Sequence, residues 1–135
     1  MRVLNITIMV LRVAVLVALI LGILFWVNTA LNFIPVHMLI GIIVVLCLWI
    51  IGLTQGFMKG GSFPLAVLTF VLGLAVAIVG LYQQQWLIGS AHWVIQVIHL
   101  LLGLSAIAVA EMIVARTKKR VKAQQQAVSQ QQPAS

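Results

Sequence analysis

Four apolar runs, approximately residues 7 to 31, 37 to 54, 63 to 82 and 89 to 115, make up most of this 135-residue chain. A helix needs about 20 apolar residues to cross the roughly 30 Å hydrocarbon layer of a bilayer, and four such spans leave little chain for anything else. Hydrocarbon offers no hydrogen-bond partners, so open strands are excluded, and none of the runs alternates as the strands of a barrel do. The expectation is an all-α polytopic membrane protein with four transmembrane helices. Composition agrees: 64% of the residues are hydrophobic and 7% are charged, whereas soluble domains carry about a quarter charged residues.

The breaks between the runs carry turn chemistry. They are Asn32 to Pro35, Thr54 to Ser62 with Gly56, Gly60 and Gly61, and Gln83 to Ser90. Pro64 falls in the first turn of the third run, where a missing N–H costs nothing. The eight Lys and Arg residues lie at the two ends of the chain or in the break that holds Lys59. By the positive-inside rule both termini are cytoplasmic, an N-in/C-in arrangement suited to a bacterial-type plasma membrane. The first run, with Arg2 ahead of it and Arg12 within it, is expected to stay as a helix and not to be removed as a signal peptide. Residues 1–116 then form the transmembrane bundle. Residues 117–135, basic and then Gln-rich, are expected to be a disordered cytoplasmic tail that serves as a topology signal or contacts anionic lipid.

A short pattern occurs twice inside the runs. His37-Met38-Leu39-Ile40-Gly41-Ile42 and His99-Leu100-Leu101-Leu102-Gly103-Leu104 both read His, three apolar residues, Gly, apolar. An ionisable side chain at membrane depth is costly and marks a functional site by default. His37 stands 17 residues before Thr54 and His99 stands 17 before Arg116. At 1.5 Å per residue both imidazoles lie about 26 Å from the cytoplasmic edge, in the outer leaflet. The chain thus reads as two helical hairpins, parallel repeats that together make a four-helix bundle, with Leu21-Gly22 and Leu72-Gly73 as a further echo. Residues four apart share a helix face, so Gly41 and Gly103 lie beside their histidines. There they either open space for a flat ligand or simply let helices touch.

Two imidazoles at one level on parallel helices suit the axial ligands of a b-type haem. The lone Cys47 excludes a disulfide framework and the Cys-x-x-Cys-His attachment of c-type haem. His92, Gln96, His99 and Gly103 follow spacings of four, three and four along one face of the last helix. His92 sits about 10 Å further out than His99. It is either a proton-exchanging group at the rim of the site or an interfacial residue beside Trp93, in an aromatic belt with Trp26 and Trp86. Gln96 either bonds a ligand or bridges helices. Arg12 and Glu111, the only acidic residue, are expected at similar depth as a buried ion pair, either clamping the first helix to the last or moving protons.

On the His37-to-Gly41 and His99-to-Gly103 segments, the chain resembles the small four-helix membrane cytochromes of the b type. The resemblance implies a non-covalent haem b held by His37 and His99, with Gly41, Gly103, Gln96 and His92 around it. With three histidines, none in the cytoplasmic half, it implies one haem near the outer face. Its electron partners would be a quinol in the bilayer or a carrier outside the cytoplasm, and the protein would carry electrons without being a catalyst in its own right. Two other classes remain open. One is a non-catalytic accessory or assembly subunit of a membrane complex, or a homodimer meeting through glycine-bearing faces. The other is a small metal-binding or transport protein using His37, His92 and His99. Nucleotide and nucleic-acid binding are excluded: there is no phosphate loop, and the basic residues track topology and form no groove-binding face.

Overall fold

The computed structural model describes residues 1–131, and within them the chain is all-helical. Four helices carry the architecture: α1 (Arg2–Trp26), α2 (Ile34–Phe57), α3 (Phe63–Tyr82) and α4 (His92–Gln131), with single 3₁₀ turns at Leu31–Phe33 and Gln83–Gln85. All four are long and apolar enough to span a membrane. Only 17% to 33% of each apolar window is buried within the protein. The remaining apolar side chains point outward, as contact with lipid requires. Helix α2 packs between α1 and α3, and α4 lies against all three.

The third helix keeps the limits expected from its sequence, and the other three differ at their ends. α1 starts at Arg2 and stops at Trp26, five residues before its apolar run ends. The stop is conformational. Asn28 and Ala30 take positive φ values of 56° and 59°, a left-handed geometry that ends a helix and that Asn tolerates better than most residues. α2 begins at Ile34 with Pro35 in its first turn, and it runs on through Thr54, Gln55 and Gly56, which the sequence placed in a loop. Its last buried residue explains the extension. Gln55 is 1% exposed; its Nε2 donates to Ser62 O at 2.8 Å and its Oε1 accepts from Ser62 N at 3.3 Å. The helix end therefore supplies the hydrogen bonds of the loop that follows. Gly61 fits beneath it because a Cβ there would collide with the carbonyl oxygens of Gln55, Gly56 and Met58.

The largest departure is α4. The expected disordered tail from Thr117 is helical as far as Gln131, and Pro133 and the other residues of 132–135 lie outside the described residues. Loss of apolar residues ends a span, but it does not end a helix. Lys, Arg, Ala and Gln are all good helix formers, and the first turn past the apolar run is anchored. Thr117 is buried and its hydroxyl donates to Ile113 O at 2.8 Å, and the Arg120 guanidinium donates to Gly60 O in the α2–α3 loop.

Packing is uneven along the helices. The core consists of Leu4, Ile8 and Leu11 of α1, Val44, Leu48 and Ile51 of α2, Val76 of α3, and Ala106, Ala110 and Ile113 of α4. It occupies the half nearer the α2–α3 loop. There Gly52 lies against Thr69, and Gly73 admits the indole of Trp49, which stacks on Phe70 at 5.0 Å and donates to Phe70 O at 3.2 Å. The opposite half is held apart by a cavity.

Candidate functional site

Alpha2 and α4 each bring one histidine into that opposite half. The His37 and His99 rings meet across the interior with centroids 6.2 Å apart and planes at 63°. Phe25 of α1 packs edge-on against His37 at 5.4 Å. Nδ1 of both histidines is buried without a hydrogen-bond partner among the described residues. Leaving a buried polar atom unsatisfied costs about 1–3 kcal/mol. Two such atoms on neighbouring rings in the interior are unusual for a purely structural contact.

The cavity around the two rings has a volume of about 440 Å³, and all four helices line it. Each helix contributes one glycine: Gly22 from α1, Gly41 from α2, Gly80 from α3 and Gly103 from α4. They divide into two pairs. A Cβ at Gly41 or Gly103 would meet nothing within 4 Å, so these two positions open directly onto the cavity. A Cβ at Gly22 would lie 3.8 Å from Cε1 of His37, and one at Gly80 would lie 3.0 Å from Cε1 of His99. These two glycines seat the imidazoles. The histidine on one helix therefore rests against a glycine on its neighbour, a relation that no spacing within a single helix encodes.

Polar groups gather at the end of the cavity that lies by the α1–α2 and α3–α4 connections. Gln96, one turn from His99 on α4, lines it together with Asn28, Gln83, Gln84 and His92. His92 Nδ1 lies 3.2 Å from Trp86 O. A carbonyl only accepts, so Nδ1 carries the proton in this contact, and Nε2 of the neutral ring is left as the acceptor. Compared with known proteins, the chain matches no family model, no curated protein and no solved structure. Its function must be argued from this site.

Of the residues singled out from the sequence, the structure brings His37, His99, Gly41, Gly103, Gln96 and His92 to one cavity. His92 stands at its rim and does not join the other two histidines. Among the described residues no three His, Cys, Asp or Glu side chains come together as a metal-binding set. Arg12 and Glu111 do pair, through Nε to Oε1 at 2.5 Å and Nη2 to Oε2 at 2.9 Å. They are not buried, however, as the sequence led us to expect: their side chains are 61% and 38% exposed. The pair bridges α1 and α4 on their outer surface, because both residues fall at the edge of the α1–α4 seam and clear of the core.

Sequence reasoning missed Gly22 as a contact of His37, and it missed Gly80 altogether. It grouped Gly22 with Gly73, which instead makes room for Trp49. Gln83 and Gln84 were legible only as loop residues, and Asn28 was counted within the first apolar run. The polarity of the two glutamines in the break after the third run was the one available signal that this end of the cavity is hydrophilic.

Proposed function

We propose that this chain is a membrane-embedded b-type haem protein that holds one haem between His37 and His99. The observation that carries the proposal is the facing pair of imidazoles in a cavity to which every helix contributes a glycine. The two ring centroids stand 6.2 Å apart, and His37 and His99 are the residues that would hold the haem iron between them. Gly41 and Gly103 expose bare backbone to the cavity, which favours a broad, flat group over a compact one. When bound, haem supplies reversible one-electron chemistry at its iron. The protein's own residues ligate it, shield it from water with the apolar wall of the cavity, and tune its potential through the hydrogen bonding and polarity around it.

The two hairpins, α1 with α2 and α3 with α4, form one four-helix bundle in this proposal, with both termini in the cytoplasm of a bacterial-type plasma membrane. The basic residues of the α2–α3 loop and of α4 beyond Thr117 support that orientation. It puts the site in the outer leaflet. There Gln96, Gln84 and Asn28 offer hydrogen bonds to the head group of a quinol, and His92 Nε2 stands at the rim as a further hydrogen-bond acceptor. A carrier outside the cytoplasm is the other route for the electron. The protein is an electron-transfer component and not a catalyst in its own right.

The experiment that tests the proposal is a reduced-minus-oxidised visible spectrum of the full chain purified in detergent after expression with added haem. A low-spin haem spectrum is expected for the wild type, and its loss is expected in both His37→Ala and His99→Ala. A colourless wild-type protein overturns the proposal. A spectrum that survives either substitution overturns the assignment of that ligand.

A further inference from the structure

We infer that two copies of this chain pair in the membrane through the outer face on which Arg12 and Glu111 meet. The inference is independent of what the cavity holds and starts from where the ion pair lies. Arg120 donates to Gly60 O in the α2–α3 loop, which fixes the level of that loop against α4. Glu111 is nine residues before Arg120 on α4, about 13 Å deeper along the helix axis. It is 19 residues after His92, about 28 Å from the other end. A hydrocarbon layer roughly 30 Å thick centred between those ends encloses the pair. Charged groups at such depth almost always face a bundle interior or a polar partner. Here the side chains are 61% and 38% exposed on the outer surface, and Arg12 Nη1 has no partner among the described residues.

The charge pattern selects the occupant. Arg12 and Glu111 together are neutral and lie side by side at one depth on antiparallel helices, so they form a dipole in the plane of the membrane. A partner bringing a single charge would leave the ensemble charged in hydrocarbon. A second copy related by a two-fold axis along the membrane normal brings the same dipole, reversed, at the same depth. Arg12 of each copy then faces Glu111 of the other, the self-complementary contact that a two-fold interface requires. The flanking surface permits the approach. Ala108 and Ala115 share a ridge with Glu111 on α4, and Met9 and Leu16 share one with Arg12 on α1; all four are exposed. Small residues beside a polar contact are what close helix association in lipid uses.

A charge exchange separates this interface from a clamp within one chain. In R12E/E111R the pair is kept inside each chain, but a mixed dimer with the wild type would set Arg against Arg and Glu against Glu. One chain carries L16C and the other A108C, positions that flank Arg12 and Glu111 on the same side and face each other across the two-fold, with different tags; they are co-expressed and oxidised in native membranes, the same pair with L74C, on the exposed face of α3, in place of A108C is the control, and Cys47 is buried in every chain. The expected result is an L16C–A108C disulfide between two chains of wild-type charge that falls roughly tenfold or more when the A108C chain also carries R12E/E111R, because like charges then oppose one another across the interface. A cross-link that the charge exchange leaves unchanged, or one no more abundant with A108C than with L74C, overturns the inference. Should R12E/E111R fail to accumulate, single-molecule photobleaching of the wild type in dilute liposomes decides. Two bleaching steps per particle support the pair of chains, and single steps overturn it.

Discussion

Gly41 and Gly80 are both glycines in the middle of apolar helices beside a histidine, and the structure gives them opposite roles. A Cβ at Gly41 or Gly103 enters open space, whereas one at Gly80 presses within 3.0 Å of His99 Cε1. Leu at position 41 or 103 should therefore be tolerated by the helix, because replacing Gly with a good helix former adds up to about 1 kcal/mol of intrinsic stability. The new side chain occupies the cavity instead. The expected outcome for Gly41→Leu and Gly103→Leu is an unfolding midpoint at or above that of the wild type, together with loss of haem absorbance on reconstitution. Circular dichroism melts beside visible spectra check it, and full haem uptake by both variants would contradict the assignment. This contrast also marks the limit of what the residues reveal by themselves. His37 and His99 stand out because ionisable groups are rare in apolar runs, and their i+4 glycines follow from helix geometry. Gly80 gives no sign of its role in the sequence, since its contact lies across a helix interface.

Helix ends followed a different physics from helix interiors. Apolar runs locate spans because hydrocarbon thickness sets their length, but each end is decided by local hydrogen bonding. α1 gave up the last five residues of its run to two left-handed residues, whereas α4 continued through Lys, Arg and Gln that hydropathy counts as tail. Gln55 shows the principle most directly. Read as part of a polar break, it is in fact the buried side chain that binds both the N–H and the C=O of Ser62. Gln55→Leu keeps the volume and helix propensity while stranding both groups of Ser62, and each unsatisfied buried polar group costs about 1–3 kcal/mol. The variant should unfold at a clearly lower temperature than the wild type. Its haem spectrum should be unchanged, because the α2–α3 loop lies at the opposite end from the histidines. A shifted spectrum with an unchanged melt would show that the two ends are not independent.

The molecule as a whole is divided along its length, and that division gives its orientation a functional meaning. Close packing of Leu4, Leu11, Leu48, Ile51 and Ile113 fills the half that carries Lys59 and Arg120, and the cavity with its two imidazoles fills the half that ends in Gln84 and His92. Four helices long and apolar enough to span a membrane were legible from hydropathy alone. The division was not, because it depends on which faces of different helices meet. The basic residues stand at the packed end, and in the proposed orientation that end is cytoplasmic and the cavity opens toward the outer leaflet. Lys59 and Gln84 are both exposed and are separated by the single span α3. Lys59→Cys and Gln84→Cys therefore report opposite sides of the membrane, with buried Cys47 as a silent background. A membrane-impermeant maleimide applied to intact cells should label Gln84→Cys at once and Lys59→Cys only after permeabilisation. The reverse pattern would turn the cavity toward the cytoplasm and remove any extracytoplasmic electron carrier from consideration. Labelling of both from one side would mean that α3 does not cross the bilayer, and the common depth of His37 and His99 would then lose its physical basis.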